Sequence, residues 1–70
     1  MMRFKIQMKG SDALGWFDLK NFDGKRWNTY LFDERRDATH YAKHWWPDEY
    51  ADGDVRIMPE SHQEDYDAYN

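Results

Sequence analysis

The stretch RFKIQMK, residues 3–9, alternates apolar and polar side chains without interruption. Successive side chains of a β-strand point to opposite faces, so this period of two predicts a strand with one buried face. Phe4, Ile6 and Met8 form the apolar face, and the polar side chains between them are expected to face solvent. The next residues, GSD at 10–12, indicate a turn.

Two further strands are predicted beyond that turn. They are residues 15–20, GWFDLK, and residues 26–32, RWNTYLF. Aromatic and β-branched side chains suit a pleated surface. Between the two segments, NFDG at 21–24 is a turn signal, because Asp-Gly tolerates the positive φ angles of tight hairpins. The sequence therefore predicts a hairpin over residues 15–32.

The apolar period changes to that of a helix after residue 32. Four side chains recur at i, i+3, i+4 and i+7, namely Ala38, Tyr41, Ala42 and Trp45. Asp33 is suited to cap the N-terminus of such a helix. Pro47 disfavours helical backbone at the residue before it. A helix is therefore predicted over residues 34–46.

The two tryptophans at the end of this helix should point in different directions. Trp45 lies in the apolar stripe, and together with Tyr41 it is expected to plug the sheet. Trp46 lies about 100° further around the helix. It should therefore point away from the centre of the stripe.

The C-terminal third begins with an acidic loop at residues 47–54 and a short strand at 55–58, ended by Pro59. The first strand is the expected partner of this last one. The element order β-β-β-α-β predicts an α+β fold, with a small antiparallel sheet of three to four strands and one helix packed on one face. We expect a single domain over residues 1–59. Residues 60–70 are predicted to form an acidic, mobile C-terminal tail.

Composition excludes several classes of protein. The chain has 70 residues and no cysteine, which excludes a disulfide-stapled scaffold, a thiol nucleophile and cysteine-based zinc modules. No apolar run approaches the roughly 18 residues that a membrane span needs. The alternating charges near the N-terminus are unlike a signal peptide. We therefore expect a cytoplasmic monomer without membrane contact.

Catalytic and metal chemistry have little support in the sequence. Ser11 and Ser61 lie in a turn and in the tail, and the four glycines make no phosphate loop. His40 and His44, with Asp37, have a spacing that can chelate a divalent metal. The stretch lacks the glutamate that a metalloprotease helix carries, and two solvated histidines are the simpler interpretation. No enzyme activity, cofactor or metal is expected.

Charge is distributed unevenly along the chain. Residues 1–46 have a net charge of +3 and residues 47–70 a net charge of −7. This asymmetry indicates an electrostatically polar surface. Carboxylates could imitate the phosphates of DNA, and the acidic residues available for this are Asp48, Glu49, Asp52, Asp54, Glu60, Glu64, Asp65 and Asp67.

Single-stranded nucleic-acid binding is an alternative function. The basic residues fall on the first strand, beside the hairpin turn and along the helix, and are Arg3, Lys5, Lys9, Lys20, Lys25, Arg26, Arg35, Arg36 and Lys43. Exposed tryptophan or tyrosine beside such charges could stack bases. The acidic C-terminal third and a pI of about 5.2 oppose phosphate binding. Nucleic acid is therefore a less favoured partner than protein.

The surplus of aromatic residues favours a protein-binding module. Phe, Trp and Tyr make up 13 of the 70 residues, more than one small core can bury. Exposed Trp, Tyr and Arg are preferred contact residues. The expected partner-binding residues lie near the helix end and the last strand, and are Trp46, Asp48, Glu49, Tyr50, Asp52, Asp54, Arg56 and Met58. For Trp46 and Tyr50, packing under the acidic loop is the alternative role.

The order of these features resembles a family of small phage proteins. The run from Trp45-Trp46-Pro47 to Val55-Arg56-Ile57-Met58-Pro59 follows a ring-rich strand and an amphipathic helix. Over residues 28–59 this order is similar to the short inhibitors of bacterial RNA polymerase that podoviruses make. The resemblance implies a small sheet with one helix, which contacts the polymerase through basic residues of the last strand and an acidic strip. Arg56 stands at one such basic position, whereas Met58 stands where the family has a second arginine.

We therefore expect a phage-encoded inhibitor or modulator of a host macromolecular machine, located in the host cytoplasm. The whole chain is similar to the short, acidic, aromatic reading frames of tailed phages, which often encode such inhibitors. The expected mechanism is steric and electrostatic occlusion, with transcription as the first target. Acidic mimicry of nucleic acid, directed at a host defence nuclease or at a CRISPR or restriction complex, is the alternative.

Overall fold

The computed structural model describes residues 2–10 and 15–62, and in these residues the chain forms six strands and two helices. The elements are β1 Phe4–Lys9, β2 Trp16–Asp18, β3 Lys20–Phe22, β4 Trp27–Thr29, β5 Leu31–Phe32, α1 Arg35–Trp45, α2 Pro47–Ala51 and β6 Val55–Pro59. Antiparallel strands with a helix confirm the predicted α+β fold. Part of the predicted turn at 10–12, and the predicted tail from residue 63 onward, lie outside the described residues.

Strand β1 is the centre of a four-stranded antiparallel sheet. On one side it pairs with β6, from Phe4 opposite Pro59 to Met8 opposite Val55. Its other side is shared by two short strands, with β5 beside the start of β1 and β2 beside its end. The predicted pairing of the first and last strands is confirmed.

The predicted hairpin over residues 15–32 is divided into two parts. The Leu19 N–H donates to the Ile6 carbonyl over 2.8 Å, and the Tyr30 N–H donates to the Leu19 carbonyl over 2.9 Å. Beyond these two residues β3 and β4 pair with each other, in a two-stranded sheet separate from the first. We call residues 20–29 the hairpin arm. The prediction of two long strands was wrong in this respect. In each predicted strand, only the part farther from the turn, which is β2 or β5, pairs with β1.

Helix α1 covers one face of the sheet. It runs from Arg35 to Trp45, one residue shorter at each end than predicted. The predicted cap at Asp33 is wrong, since the N-cap is Glu34, whose side chain makes no capping hydrogen bond among the described residues. At the other end the Trp46 N–H donates to the Ala42 carbonyl, and the helical backbone stops there.

The core lies between α1 and the sheet. Its buried residues are Ile6, Ala38, Ala42, Val55 and Ile57. The two alanines let the helix backbone approach the sheet closely. The rings and other side chains that pack around this core are Phe4, Met8, Leu19, Phe32, Tyr41, Trp46 and Tyr50.

The orientations predicted for the two adjacent tryptophans are reversed. Trp46 packs against the core, whereas Trp45 is 59% exposed. The prediction was wrong because it assumed that the helical rotation of about 100° per residue extends to residue 46. The backbone of Trp46 has φ −134° and ψ 60°, so it has left the helix and turns its side chain back toward the core.

The acidic segment after α1 begins with a second helix. The loop predicted over residues 47–54 was wrong in its first part, since Pro47–Ala51 form α2. Proline at the first helical position has a favourable φ and lacks only an N–H that would be unpaired there. Asp48 and Glu49 lie in the first turn, where the helix dipole favours carboxylates.

Candidate functional site

The face of the sheet opposite α1 carries a group of hydrogen-bonded polar side chains. We call Lys5, Gln7, Trp16, Asp18 and Arg56 the polar cluster. The carboxylate of Asp18 accepts from the Lys5 ammonium over 3.0 Å and from the Gln7 amide over 2.9 Å. The Gln7 amide oxygen accepts from the Arg56 guanidinium over 2.8 Å. That guanidinium lies over the Trp16 ring, 4.0 Å from its centre.

Strand register brings the cluster together and buries part of it. Gln7 stands opposite Asp18 on one side and Arg56 on the other. Lys5 is 5% exposed and Gln7 is 1% exposed, so the prediction that the polar side chains of β1 face solvent is wrong at these two positions. The reason is that β2 and β6 flank β1 with long side chains that cover its second face.

The residues just after β6 also close over this face. The Lys5 ammonium donates to the His62 carbonyl, and the Glu60 N–H donates to the Arg3 carbonyl over 2.8 Å. The side chains of Arg3 and Glu60 form a salt bridge of 3.1 Å. The start of the predicted tail is therefore attached to the domain. Burial removes Lys5 from the basic strand face proposed for nucleic acid, and Glu60 balances the charge of Arg3, just before β1.

A different surface lies at the C-terminal end of α1. We call Trp45, His44, Asp48, Glu49 and Asp52 the helix-end surface. The His44 and Trp45 rings are nearly perpendicular, at 89°, with 4.9 Å between their centres. All five side chains are exposed. Sequence reasoning missed Trp45 as an exposed residue, because its place in the apolar stripe indicated burial.

Tyr41 packs against the core and contacts the rings of both adjacent tryptophans. The Tyr41 ring centre is 6.2 Å from that of Trp45 and 6.1 Å from that of Trp46. The pKa of Tyr41 is raised, mainly by burial and to a smaller extent by the neighbouring Tyr30.

A shallow groove of about 400 Å³ runs beside these rings along α1. It is lined by Asp37, His40, Tyr41, His44 and Trp45.

Helix α2 is fixed by contacts of its second half. Tyr50 packs against the core, and the Lys43 ammonium lies 5.5 Å from the centre of its ring. The Asp54 N–H donates to the Glu49 carbonyl over 2.8 Å. The chain turns at Gly53, whose φ of +84° strains any other residue. The exposed carboxylates of α2 are therefore carried on an ordered scaffold.

The structure does not bring the eight predicted contact residues to one surface. Asp48, Glu49 and Asp52 are exposed on or beside α2, whereas Trp46 and Tyr50 are half-buried and pack against the core. The remaining three belong to β6 or the residue before it. Asp54 is half-buried, and Arg56 and Met58 lie on the sheet face that carries the polar cluster.

The hairpin arm presents two exposed rings to solvent. Phe22 is 52% exposed and Trp27 is 65% exposed. They are cross-strand partners, with ring centres 5.2 Å apart and planes tilted by 47°. Sequence reasoning missed this pair, because Phe22 fell in the predicted turn and both faces of the following strand carry rings. An aromatic residue on each side of an Asp-Gly turn was the signal available.

Asp23 holds the turn at the tip of the arm. One carboxylate oxygen accepts from the backbone N–H groups of Lys25 (2.8 Å) and Arg26 (3.0 Å), and the other accepts from the Asn28 amide (2.8 Å). The backbone N–H of Asp23 donates to the Arg26 carbonyl over 3.1 Å. The hydrogen bonds to the carboxylate favour its charged form and lower the pKa of Asp23.

Acidification is expected to loosen this turn. A lowered pKa means that the contribution of Asp23 is complete above its unfolded value of about 3.9 and is lost as pH falls through the folded value. In an NMR titration the Lys25 and Arg26 amide signals should shift with a midpoint below about 3.9. The Ile6 amide signal serves as the control for global unfolding. In Asp23→Ala, the Lys25 and Arg26 amide signals should no longer show this transition. A midpoint at or above the ordinary value would contradict this account.

The histidine pair weighed as a metal site lies on the exposed side of α1. Within residues 2–10 and 15–62, the structure brings together no group of three or more His, Asp or Glu side chains that could hold a metal ion. In the same part of the chain, no helix has the length and apolar character needed to cross a membrane.

The described residues thus form a small α+β domain with an exposed aromatic patch at the end of α1 and another on the hairpin arm. Comparison with family models gave no match. Curated proteins and solved structures gave none either.

Proposed function

We propose that this protein is a small protein-binding module that occludes part of a larger macromolecular complex through its helix-end surface. The observation that carries the proposal is the 59% exposure of Trp45 at the end of α1, directly before the acidic first turn of α2. Tryptophan is among the residues that contribute most to protein interfaces. Burial of its ring against a partner removes apolar area from water, at about 25 cal/mol per Å².

The scaffold under Trp45 favours such a role. Tyr41 lies beneath the ring, and Trp46 and Tyr50 anchor the adjoining backbone in the core. An anchor residue that is already positioned loses little conformational freedom on binding. The ring would act as the central contact, and the carboxylates of α2 as a polar rim around it.

Charge favours a basic surface as the partner. Residues 47–70 have a net charge of −7, and three of their acids are exposed on or just after α2, which begins two residues after Trp45. Complementary charge speeds association and suppresses wrong partners. A groove that normally receives nucleic acid is such a surface, and an acidic protein seated there would exclude the nucleic acid without any catalytic step.

Bacterial RNA polymerase is the first target that we propose, with a phage as the source of the protein. The support for this target is the order of elements over residues 28–59, in which the sequence resembles the short podovirus inhibitors of that enzyme. Arg56, the position shared with them, is engaged with Gln7 and Trp16 and helps to order the sheet face. A defence nuclease or a CRISPR or restriction complex is the second proposed target.

Trp45→Ala and Trp46→Ala form a matched pair that tests the helix-end surface. Trp45→Ala should weaken binding to immobilised RNA polymerase by about 30-fold, equivalent to about 2 kcal/mol, because it removes the central contact. Its melting temperature should stay within about 4 °C of that of the parent protein, which corresponds to a change of less than about 1 kcal/mol in the free energy of unfolding. Trp46→Ala should cost about 3 kcal/mol of stability, because it empties a site beside the core.

The measurements are biolayer interferometry for binding and circular dichroism for melting. Retained affinity in Trp45→Ala would exclude this surface as the contact. A third variant, Asp48→Asn with Glu49→Gln and Asp52→Asn, should bind more slowly and with weaker salt dependence, since rim charges act mainly on association. If the parent protein does not bind polymerase, the first target is excluded. The parent protein and the same variants are then measured against an immobilised defence nuclease.

A further inference from the structure

We propose that the hairpin arm is a binding site for single-stranded nucleic acid, separate from the helix-end surface. The arm combines two exposed rings with three exposed cations, and nothing in the core of the domain requires either group. This function goes beyond the proposed protein contact and does not depend on it.

The two rings form one aromatic platform. Phe22 and Trp27 stand directly opposite each other in the β3–β4 pairing, so they occupy the same face of the ribbon. More than half of each side chain is open to solvent. Bases stack on exposed rings with little sequence preference, because every base has a π-face. Two adjacent rings offer a place for two unpaired bases.

Three cations lie on the same arm as the platform. Lys20 lies two residues before Phe22 and therefore on the same face, while Lys25 and Arg26 lie at the turn. All three are exposed. The salt bridges within residues 2–10 and 15–62 join Arg3 to Glu60, Lys5 to Asp18, and Glu34 to Arg36. The cations of the arm are thus available to phosphates.

The local charge of the arm is positive although the whole protein is acidic. Residues 20–29 contain three basic residues and one acid, Asp23, which gives a net charge of +2. The carboxylate of Asp23 is occupied by the turn. The net charge of −7 belongs to residues 47–70. The acidic pI therefore does not describe the surface that would meet the phosphates.

Nucleic acid fits these features better than a protein partner does. A protein contact would place the ring pair at its centre and leave the cations at its rim, where charges contribute little to affinity. A single strand uses both features at once, since its bases stack on the rings while its phosphates meet the cations. Duplex DNA hides its base faces and would leave the rings without a role.

Fluorescence anisotropy with a labelled oligothymidylate of about 12 nucleotides tests the proposal. The parent protein should bind it at about 50 mM salt and much more weakly at about 200 mM, since phosphate contacts release counterions. Trp27→Ala and Phe22→Ala should each weaken binding by about fivefold or more, and Trp27→Phe should restore much of the loss. A labelled duplex of equal length should bind more weakly than the single strand.

A matched charge variant distinguishes the arm from general electrostatics. Lys25→Glu with Arg26→Glu should abolish binding, whereas Lys9→Glu with Arg36→Glu, which changes the net charge equally at exposed positions outside the arm, should retain most of it. Circular dichroism should show equal melting temperatures for the parent and the arm variants, because the arm lies outside the core.

Three results would overturn the proposal. The first is no anisotropy change at about 100 µM protein and low salt. The second is equal loss in the two charge variants, and the third is unchanged affinity in Trp27→Ala. If the parent protein does not bind the oligonucleotide and Trp27→Ala weakens binding to polymerase, the arm is a protein contact. None of these results bears on Trp45→Ala, so the proposed function fails or stands separately.

Discussion

Asp18→Ala is expected to lower the free energy of unfolding by about 3 kcal/mol. The carboxylate of Asp18 accepts from Lys5 and from Gln7, and both of these side chains are almost fully buried. Its removal leaves a buried ammonium without its counter-charge and a buried amide without its acceptor. Each uncompensated group costs the desolvation that its partner had offset.

Thermal unfolding followed by circular dichroism measures this effect. A domain of this size loses about 4–8 °C per kcal/mol, so the melting temperature should fall by about 12–24 °C. Asp33→Ala is the control, because Asp33 is exposed and does not cap α1. Lys5→Met combined with Asp18→Leu should recover the part of the loss that comes from the unpaired ammonium, since an apolar pair can replace a buried ion pair. Equal melting temperatures for Asp18→Ala and Asp33→Ala would rule out a structural role for the polar cluster.

Ile6→Ala is expected to leave most of the protein unfolded at physiological temperature. Ile6 is completely buried at the centre of β1, between α1 and the neighbouring strands. Truncation of a buried isoleucine to alanine costs about 2–5 kcal/mol. A core in a chain this short supplies only about 3–5 kcal/mol of net stability, so the loss is comparable to the whole.

Urea titration at low temperature provides the measurement. Ile6→Val should be destabilised by about 0.5–1.5 kcal/mol, which gives a graded series at the same site. Met2→Ala is the control, because Met2 is 60% exposed. An Ile6→Ala protein with an unchanged urea midpoint would show that the buried core is not centred on β1.

Several elements were predictable from the sequence, because their side-chain periods directly reflect burial. The alternation of residues 3–9 identified β1, and the stripe that contains Ala38 and Ala42 identified the inner face of α1. Val55 and Ile57 were expected to face inward, and they are buried in β6. The pairing of β1 with β6 followed because the predicted hairpin left these two strands for each other.

The surfaces were less predictable, because they depend on contacts between distant parts of the chain. Lys5 and Gln7 have a polar pattern, but β2 and β6 bring Asp18 and Arg56 beside them and bury them. Side-chain period assigns only which face of β1 a residue lies on. Whether that face meets solvent depends on the strands that flank it.

The same limit applies where the chain leaves a regular element. Trp46 would have pointed outward had α1 continued, but its non-helical backbone turns the ring inward and leaves Trp45 exposed. A helical pattern gives no direction for a residue after the last turn.

The sequence by itself determined the fold class, the central strand and the inner face of α1, because local periodicity and the need to bury apolar area act on neighbouring residues. Only the tertiary structure decided at which residue of β1 the pairing with β5 ends and the pairing with β2 begins. Because of this division, the hairpin arm projects from the sheet with Phe22 and Trp27 exposed. That outcome depends on which backbone groups of β1 are already paired, a competition between distant segments that no local pattern encodes.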